Sequence, residues 1–268
     1  MIKIRPRPFI LMDTDHGMMI VPQNDKLVLA DGEHGIGVGL QIMTNGVFEP
    51  EEIALVKMIL EMRRAHHGDG VMALDLGANI GAHTVEWGKL MADWGRVLAV
   101  EAQEQIYYCL CGNIVLNGLL NTTALNAAVA AERGTMQIPV LNYAAPASYG
   151  SLELQQHPEN EEIGQPVDYT HTRTIGTLPI DSLALPRCDF MKVDVEGMEL
   201  DVLRGARHTL MAHRPIVLVE IIKRNGQQAV EYLQALDYDI RYHGLNAIAI
   251  HRADPCIQYF AAEEKKDE

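Results

Sequence analysis

Val71–Leu90 reads VMALDLGANIGAHTVEWGKL. An aliphatic run ends at an acid and a glycine cluster, and an amphipathic helical pattern starts at once. A strand that runs into Gly77 and gives way to a helix near Gly81 brings free backbone N–H groups and the positive end of a helix dipole to the carboxyl edge of a sheet. The dinucleotide form of this device is G-x-G-x-x-G. Here Asn79 stands in place of the middle glycine, and asparagine tolerates left-handed backbone angles better than most residues. Asp75, at the end of the strand, would repel a pyrophosphate but accept a hydrogen bond from an ammonium group. The turn therefore favours a ligand with an amino-acid-like end.

The pattern continues outward. Short apolar runs (RVLAVEA, TTALNAAVA, FMKVDV, PIVLVEII) alternate with helical ones (IYYCLCGNIVLNG, GMELDVLRGARHTL, QQAVEYLQAL), which predicts crossover units and a parallel sheet buried on both faces. In the second helical run Leu203, Ala206 and Leu210 keep the stripe that packs on a sheet. YDIRYH and NAIAIH, split by a Gly-containing turn, read as a closing antiparallel hairpin. Glu101 ends the second strand, where an acid accepts hydrogen bonds from ribose hydroxyls. The loop after the third strand offers Asn126 and Ala127 to an adenine. An amino acid, a ribose and an adenine together describe S-adenosylmethionine. The plainer alternative is that Asp75 and Glu101 are solvated strand ends and Gly77 merely breaks a strand.

Upstream, Phe9–Gly39 reads as strand-like pieces broken at DHG, PQND, DGEHG and GVG, a hairpin layer. EPEEIALVKMILEMRRAHHGDG has Pro50 at its entry, acids in its first turn, and Arg63 and Arg64 in its last, the ends of a helix. The expected organisation is a strand and helix extension over residues 1–68 packing on the core, a main domain over 69–253, and a tail over 254–268 whose AAEEKKDE is a solvated end. Between Pro139 and Thr172 the periodicity breaks into a Gly-, Pro-, Asn- and Tyr-rich stretch, as in a lid or binding loop.

With 268 residues, 48% hydrophobic and 22% charged, the chain can bury a sizeable core. Its net charge of −14 makes a nucleic-acid backbone a poor partner. No apolar run is long enough to span a bilayer, and the N-terminus lacks the apolar core of a signal peptide, so no membrane partner and a cytoplasmic location are expected. Cys109, Cys111, Cys188 and Cys256 form no CxxC pair and read as reduced, structural thiols. The histidines are scattered and suggest no role by themselves.

LDLGANIGAHT, VLAVEAQ, TLPIDSL, DFMKVDVEGMELDVLRGA and PIVLVEI occur in an order that resembles the FkbM family of S-adenosylmethionine-dependent methyltransferases, across Val71 to Ile222. The resemblance implies a Rossmann-like class I methyltransferase fold, α/β, with a mostly parallel seven-stranded sheet, helices on both faces and a reversed last hairpin. It also implies O-methylation of a hydroxyl on a small molecule, sugar or natural product. By matching position, Asp75, Gly77, Ala78, Asn79, Gly81 and Thr84 would line the methionine end of the cofactor; Glu101, with Ala102 beside it, would hold the ribose; Asn126 and Ala127 would approach the adenine. The family commonly has proline after the acid, where this chain has EAQ.

A hydroxyl acceptor needs a base at the carboxyl ends of the central strands. In MKVDVEG, Lys192, Asp194 and Glu196 occupy alternate positions and project the same way if the run stays extended. Asp194 is expected beside the cofactor and Glu196 at the turn into the following helix. Glu220 closes the neighbouring strand and could converge on Asp194. These two acids are similar to the magnesium site of catechol-type O-methyltransferases, but a base with an orienting partner is the favoured reading, and no metal ligand is assigned. Tyr149 and Ser151, in the irregular stretch, are expected on the acceptor side. The competing functions are an NAD-dependent oxidoreductase and a non-catalytic binding domain of the same fold. The expected partners are a small hydroxyl-bearing molecule and, at most, a second copy in a homodimer.

Overall fold

The computed structural model describes residues 7–28 and 35–261. The expected turn at DGEHG and, beyond Ala261, the expected solvated end lie outside the described residues. The N-terminal layer comprises β1 (Phe9–Thr14), β2 (Gly17–Pro22), β3 (Leu27–Val28), β4 (Gly35–Ile36), α1 (Val38–Asn45) and α2 (Pro50–His67). Then follow β5 (Val71–Leu76), α3 (Ala82–Leu90), β6 (Gly95–Glu101), α4 (Glu104–Leu116), β7 (Thr122–Asn126), β8 (Ala128–Val129) and β9 (Gly134–Pro139). The last part holds β10 (Thr172–Leu178), β11 (Phe190–Val193), α5 (Glu199–Gly205), α6 (Arg207–His213), β12 (Ile216–Glu220), α7 (Gly226–Ala235), β13 (Tyr238–His243), β14 (Asn246–His251) and α8 (Ile257–Ala261).

Seven strands form one sheet in the order β13-β14-β12-β11-β5-β6-β7. The five strands from β12 to β7 run parallel; β14 runs antiparallel to β12, and β13 pairs antiparallel with β14, as expected for the closing hairpin. Alternation along each strand feeds two cores. Leu74, Leu76, Val100, Met191, Val193 and Val217 pack with Val202, Leu203, Leu210 and Leu233 from α5, α6 and α7. Ala73, Val97, Phe190 and Leu218 pack on the opposite face with Val56, Ile59 and Leu60 of α2, Trp87 of α3 and Met91 just after it. Helices thus cover both faces, which is why the strands read as continuous apolar runs.

The hairpin β1–β2 packs on α4 through a third core with Met19, Val21, Val85, Ile106 and Leu110. Asn113 of α4 fastens the two: its Oδ1 accepts from the Ile20 N–H at 2.6 Å and its Nδ2 donates to the Ile80 carbonyl at 2.8 Å. Among the described residues, no helix is long and apolar enough to cross a membrane.

Three local expectations need correction. GMELDVLRGARHTL is two helices broken at Ala206: the Asp181 carboxylate accepts from the backbone N–H groups of His208 and Thr209 at 2.8 Å each and caps α6 as a separate helix. Residues 254–260, expected in a tail, are packed: Asp254 pairs with the buried Arg63 of α2, and Cys256 and Phe260 join the core under that helix. The run from Lys192 to Glu196 is not extended throughout, because β11 ends at Val193 and Glu196 is left-handed at φ 53°.

Candidate active site

A pocket of about 390 Å³ lies over the carboxyl ends of β5, β6, β11 and β12. It is of the size that holds small ligands. Of the residues singled out in the sequence, Gly77, Ala78, Asn79, Glu101, Ala102, Ala127, Asp194, Glu196, Glu220 and Ser151 line it. Asp75, Gly81, Thr84, Asn126 and Tyr149 do not.

The turn after β5 is locked from inside. The N–H groups of Gly77 and Ala78 both donate to the Val100 carbonyl at 3.0 Å. That of Asn79 donates to Glu101 Oε2 at 2.9 Å, and that of Ile80 to Asn79 Oδ1 at 2.8 Å. The N–H groups from Gly77 to Ile80, expected to be free, are therefore spent within the chain, and the first amides of α3, at Ala82 and His83, are the ones at the pocket wall. Asn79 takes the left-handed angle (φ 50°) that its residue type permits. Gly77 is required twice over: its φ is +87°, and an added Cβ would lie 1.7 Å from the Asp194 carbonyl oxygen. That close approach seats the turn against the end of β11.

The residues outside the pocket support it. Asp75 is buried, accepts the Thr84 hydroxyl at 2.5 Å and sits across from Lys192 in the β5–β11 register, beneath the pocket. Burial lifts its carboxyl above the usual range. Asn126 donates to the carbonyls of Glu101 and Ala102 at 2.8 and 3.1 Å and so fixes the rim of β6. Tyr149 is fully buried, and its hydroxyl donates to the carbonyls of Tyr143 and Ala145 at 3.0 and 2.7 Å. Its carbonyl in turn accepts from the pocket-lining Gln103 at 2.7 Å. The irregular stretch from 140 to 171 contributes its neighbours Ser148, Gly150, Ser151 and Leu152 to the wall.

Glu101 is buried, with one oxygen on Asn79 N–H and the other on Gln103 N–H at 2.7 Å. Burial outweighs these bonds and raises its carboxyl to about 7. On the other side, Asp194, Glu196 and Glu220 bring one oxygen each within 4.8 Å of one another. Burial first, then repulsion from Asp194, pushes Glu196 up to about 8 and Glu220 to about 9. Two lysines offset this charge. Lys192 Nζ is 2.6 Å from Asp194, and Lys223 Nζ is 3.0 Å from Glu196 and 2.7 Å from Glu161. Burial would depress Lys192, but Asp194, Glu52, Asp75 and Glu49 together outweigh it and hold its ammonium above the ordinary lysine range.

Sequence reasoning missed several pocket residues. Ile36, Gly37, Val38, Gln41, Phe48 and Glu49 come from the N-terminal layer, so that layer builds a wall of the pocket. Lys223 and His83 were also missed. The available signals were an acid directly before Pro50 and a histidine in the first turn of the helix after the glycine turn.

A parallel α/β sheet with its reversed hairpin, a glycine turn after one strand and an acid ending the next define the class I methyltransferase architecture. The sequence model of the methyltransferase FkbM domain matches residues 75–244, and the chain belongs to that family. No curated protein matches it. Among solved structures it resembles a methyltransferase FkbM from Methylobacillus flagellatus (19% identity, TM-score 0.47), over 68% of this chain but 44% of that one. It also resembles an O-methyltransferase from Bacillus cereus in complex with S-adenosylhomocysteine (13% identity, TM-score 0.44, 76% and 82% of the two chains). A third likeness is to a tRNA (uracil-54, C5)-methyltransferase from Pyrococcus abyssi (10% identity, TM-score 0.43, 91% and 44%).

Proposed function

We propose that this protein transfers the methyl group of S-adenosylmethionine to a hydroxyl of a small acceptor, a sugar or natural product. The observation that carries this reading is the convergence of Asp194, Glu196 and Glu220 in the same pocket that the Gly77 turn and Glu101 line. The fit is one of charge. Buried carboxylates suit a ligand with ammonium and sulfonium charges and would repel the pyrophosphate of NAD.

In this reading Gly77, Ala78 and Asn79 hold the methionine end, Glu101 and Ala102 the ribose, and Ala127 the adenine. The oxygens of Glu101 keep lone pairs beyond those used by Asn79 and Gln103. Bound S-adenosylmethionine supplies an electrophilic methyl carbon. The chain's own residues orient the acceptor and take its proton. Nearby positive charge favours the ionised carboxylate, so the raised carboxyls of Glu220 and Glu196 become competent bases with the site filled. Asp194, tied to Lys192, orients them, and Ser151 on the facing wall contacts the acceptor. Lys192 and Lys223 supply the countercharge that a magnesium ion at Asp194 and Glu220 would otherwise bring.

Calorimetric titration with S-adenosylhomocysteine and with NAD tests the reading. S-adenosylhomocysteine is expected to bind, and Glu101→Gln to weaken it about tenfold, some 1.4 kcal/mol. Binding of NAD alone overturns the cofactor. Transfer of labelled methyl to RNA, with none to sugars or phenols, overturns the acceptor class.

A further inference from the structure

The pocket carries a second cluster that methyl transfer leaves unused. Glu49, directly before α2, Glu52 in its first turn and His83 in the first turn of α3 meet at one point. Glu52 Oε1 and Glu49 Oε2 lie 3.3 and 3.8 Å from His83 Nε2, and the three ligand atoms fall within 4.8 Å of one another. His83 is 5% exposed and Glu52 8%, yet neither His83 Nε2 nor Glu52 Oε1 has a hydrogen-bond partner. A buried polar atom left unpaired costs about 1–3 kcal/mol, so the pair calls for a partner from outside the chain.

The rest of each group is held in place. Asn246 Nδ2 donates to the other oxygen of Glu52 at 2.5 Å, which leaves Oε1 free. The His83 ring packs between Phe48 and Trp87, with centroids at 5.9 and 5.6 Å. Glu49 adopts a left-handed backbone (φ 43°), a conformation that non-glycine residues keep at a cost and that recurs at functional sites. Among the described residues, no lysine or arginine pairs with Glu49 or Glu52, in contrast to Asp194 and Glu196.

We propose that Glu49, Glu52 and His83 bind a divalent first-row transition metal ion, of which zinc is the best fit. One imidazole nitrogen and two carboxylate oxygens are ligands such ions accept. Ligand atoms at roughly 2.1 Å from a tetrahedral ion stand about 3.4 Å apart, which the two distances to His83 bracket on either side. A cation also relieves the repulsion between two carboxylates that, among the described residues, form no ion pair with a lysine or arginine. Three protein ligands leave a position open, and because Glu49 and His83 line the pocket, an oxygen of water or of the acceptor can fill it.

The test is direct binding of the metal alone. The full chain is stripped with EDTA, dialysed, and titrated with zinc chloride in a calorimeter. One equivalent is expected to bind, with affinity reduced at least 10- to 100-fold in Glu52→Gln and His83→Gln and unchanged in Glu220→Gln. Absence of zinc binding overturns the proposal. So does equal affinity in all variants, or a loss confined to Glu220→Gln, which would put the ion on the other acids. Should the variants fail to fold by circular dichroism, cobalt(II) added to the unaltered chain decides: an intense visible band of low-coordinate cobalt supports the site, and the weak spectrum of the hexaaqua ion overturns it. Neither readout depends on methyl transfer, and S-adenosylhomocysteine binding is scored separately.

Discussion

The two turns that flank the pocket floor are built differently. After β5, backbone hydrogen bonds to Val100 and Glu101 close the chain, and the Asp194 carbonyl fills the space where a side chain on Gly77 would go. After β11, charges do the holding: Asp194 on Lys192 and Glu196 on Lys223. One turn is fixed by steric exclusion and the other by balanced electrostatics. The first should therefore respond to substitution as a change of shape, independent of pH, and the second as a change of charge.

The largest effect is expected on the charged side. Lys192→Met leaves Asp194 and the buried Asp75 and Glu52 without their cation, and uncompensated buried charge costs about 3–5 kcal/mol. Chemical denaturation at pH 7.5 measures it, and the loss should shrink as the pH is lowered and the carboxylates take up protons. A loss that is the same at pH 5.5 and 7.5 breaks the contrast between the turns. Gly77→Ala is expected to cost about 3 kcal/mol, with no such pH dependence, since strain at φ +87° is compounded by displacement of the Asp194 peptide. The same substitution should abolish S-adenosylhomocysteine binding in calorimetry.

The smallest effect is the pH dependence of the unaltered chain. Glu49 and Glu101 are raised to about 7, Glu196 to about 8 and Glu220 to about 9, all first by burial. Between a carboxyl's ordinary value and its raised one, the folded chain binds more protons than the unfolded chain, so stability falls as pH rises. His83, pushed well below its ordinary value by burial, works in the opposite sense, but only up to about pH 6.5. Stability in EDTA should therefore fall from pH 6.5 to 9, by about 2–4 °C in melting temperature for each kcal/mol withdrawn. A melting temperature that rises across that window contradicts the buried, protonated carboxyls.

Much of the fold is legible in the sequence. β5 to α3, β6, β11, β12 and the β13–β14 hairpin stand where the apolar runs and turn residues put them, because strands buried on both faces must be continuously apolar. The break at Ala206 was not legible, since the cap that makes it, Asp181, is distant in sequence. At the site, Gly77, Asn79, Glu101, Asp194 and Glu220 could be read because strand ends converge in this topology. Tyr149 misled because polarity in an irregular stretch gives no direction, and here the hydroxyl turns inward to two carbonyls.

By itself the sequence determined the alternation of strand and helix, the turn at Gly77 and the acids at the strand ends, all of which depend on local periodicity and residue type. Tertiary structure alone decided that Asp75 lies under the pocket rather than in it, that the amides of the turn are already paired, and that Glu49 and Glu52 meet His83. The reason is that burial and pairing are properties of the space between elements. A chain read one residue after another carries spacing along itself, and only packing fixes which atoms face each other across it.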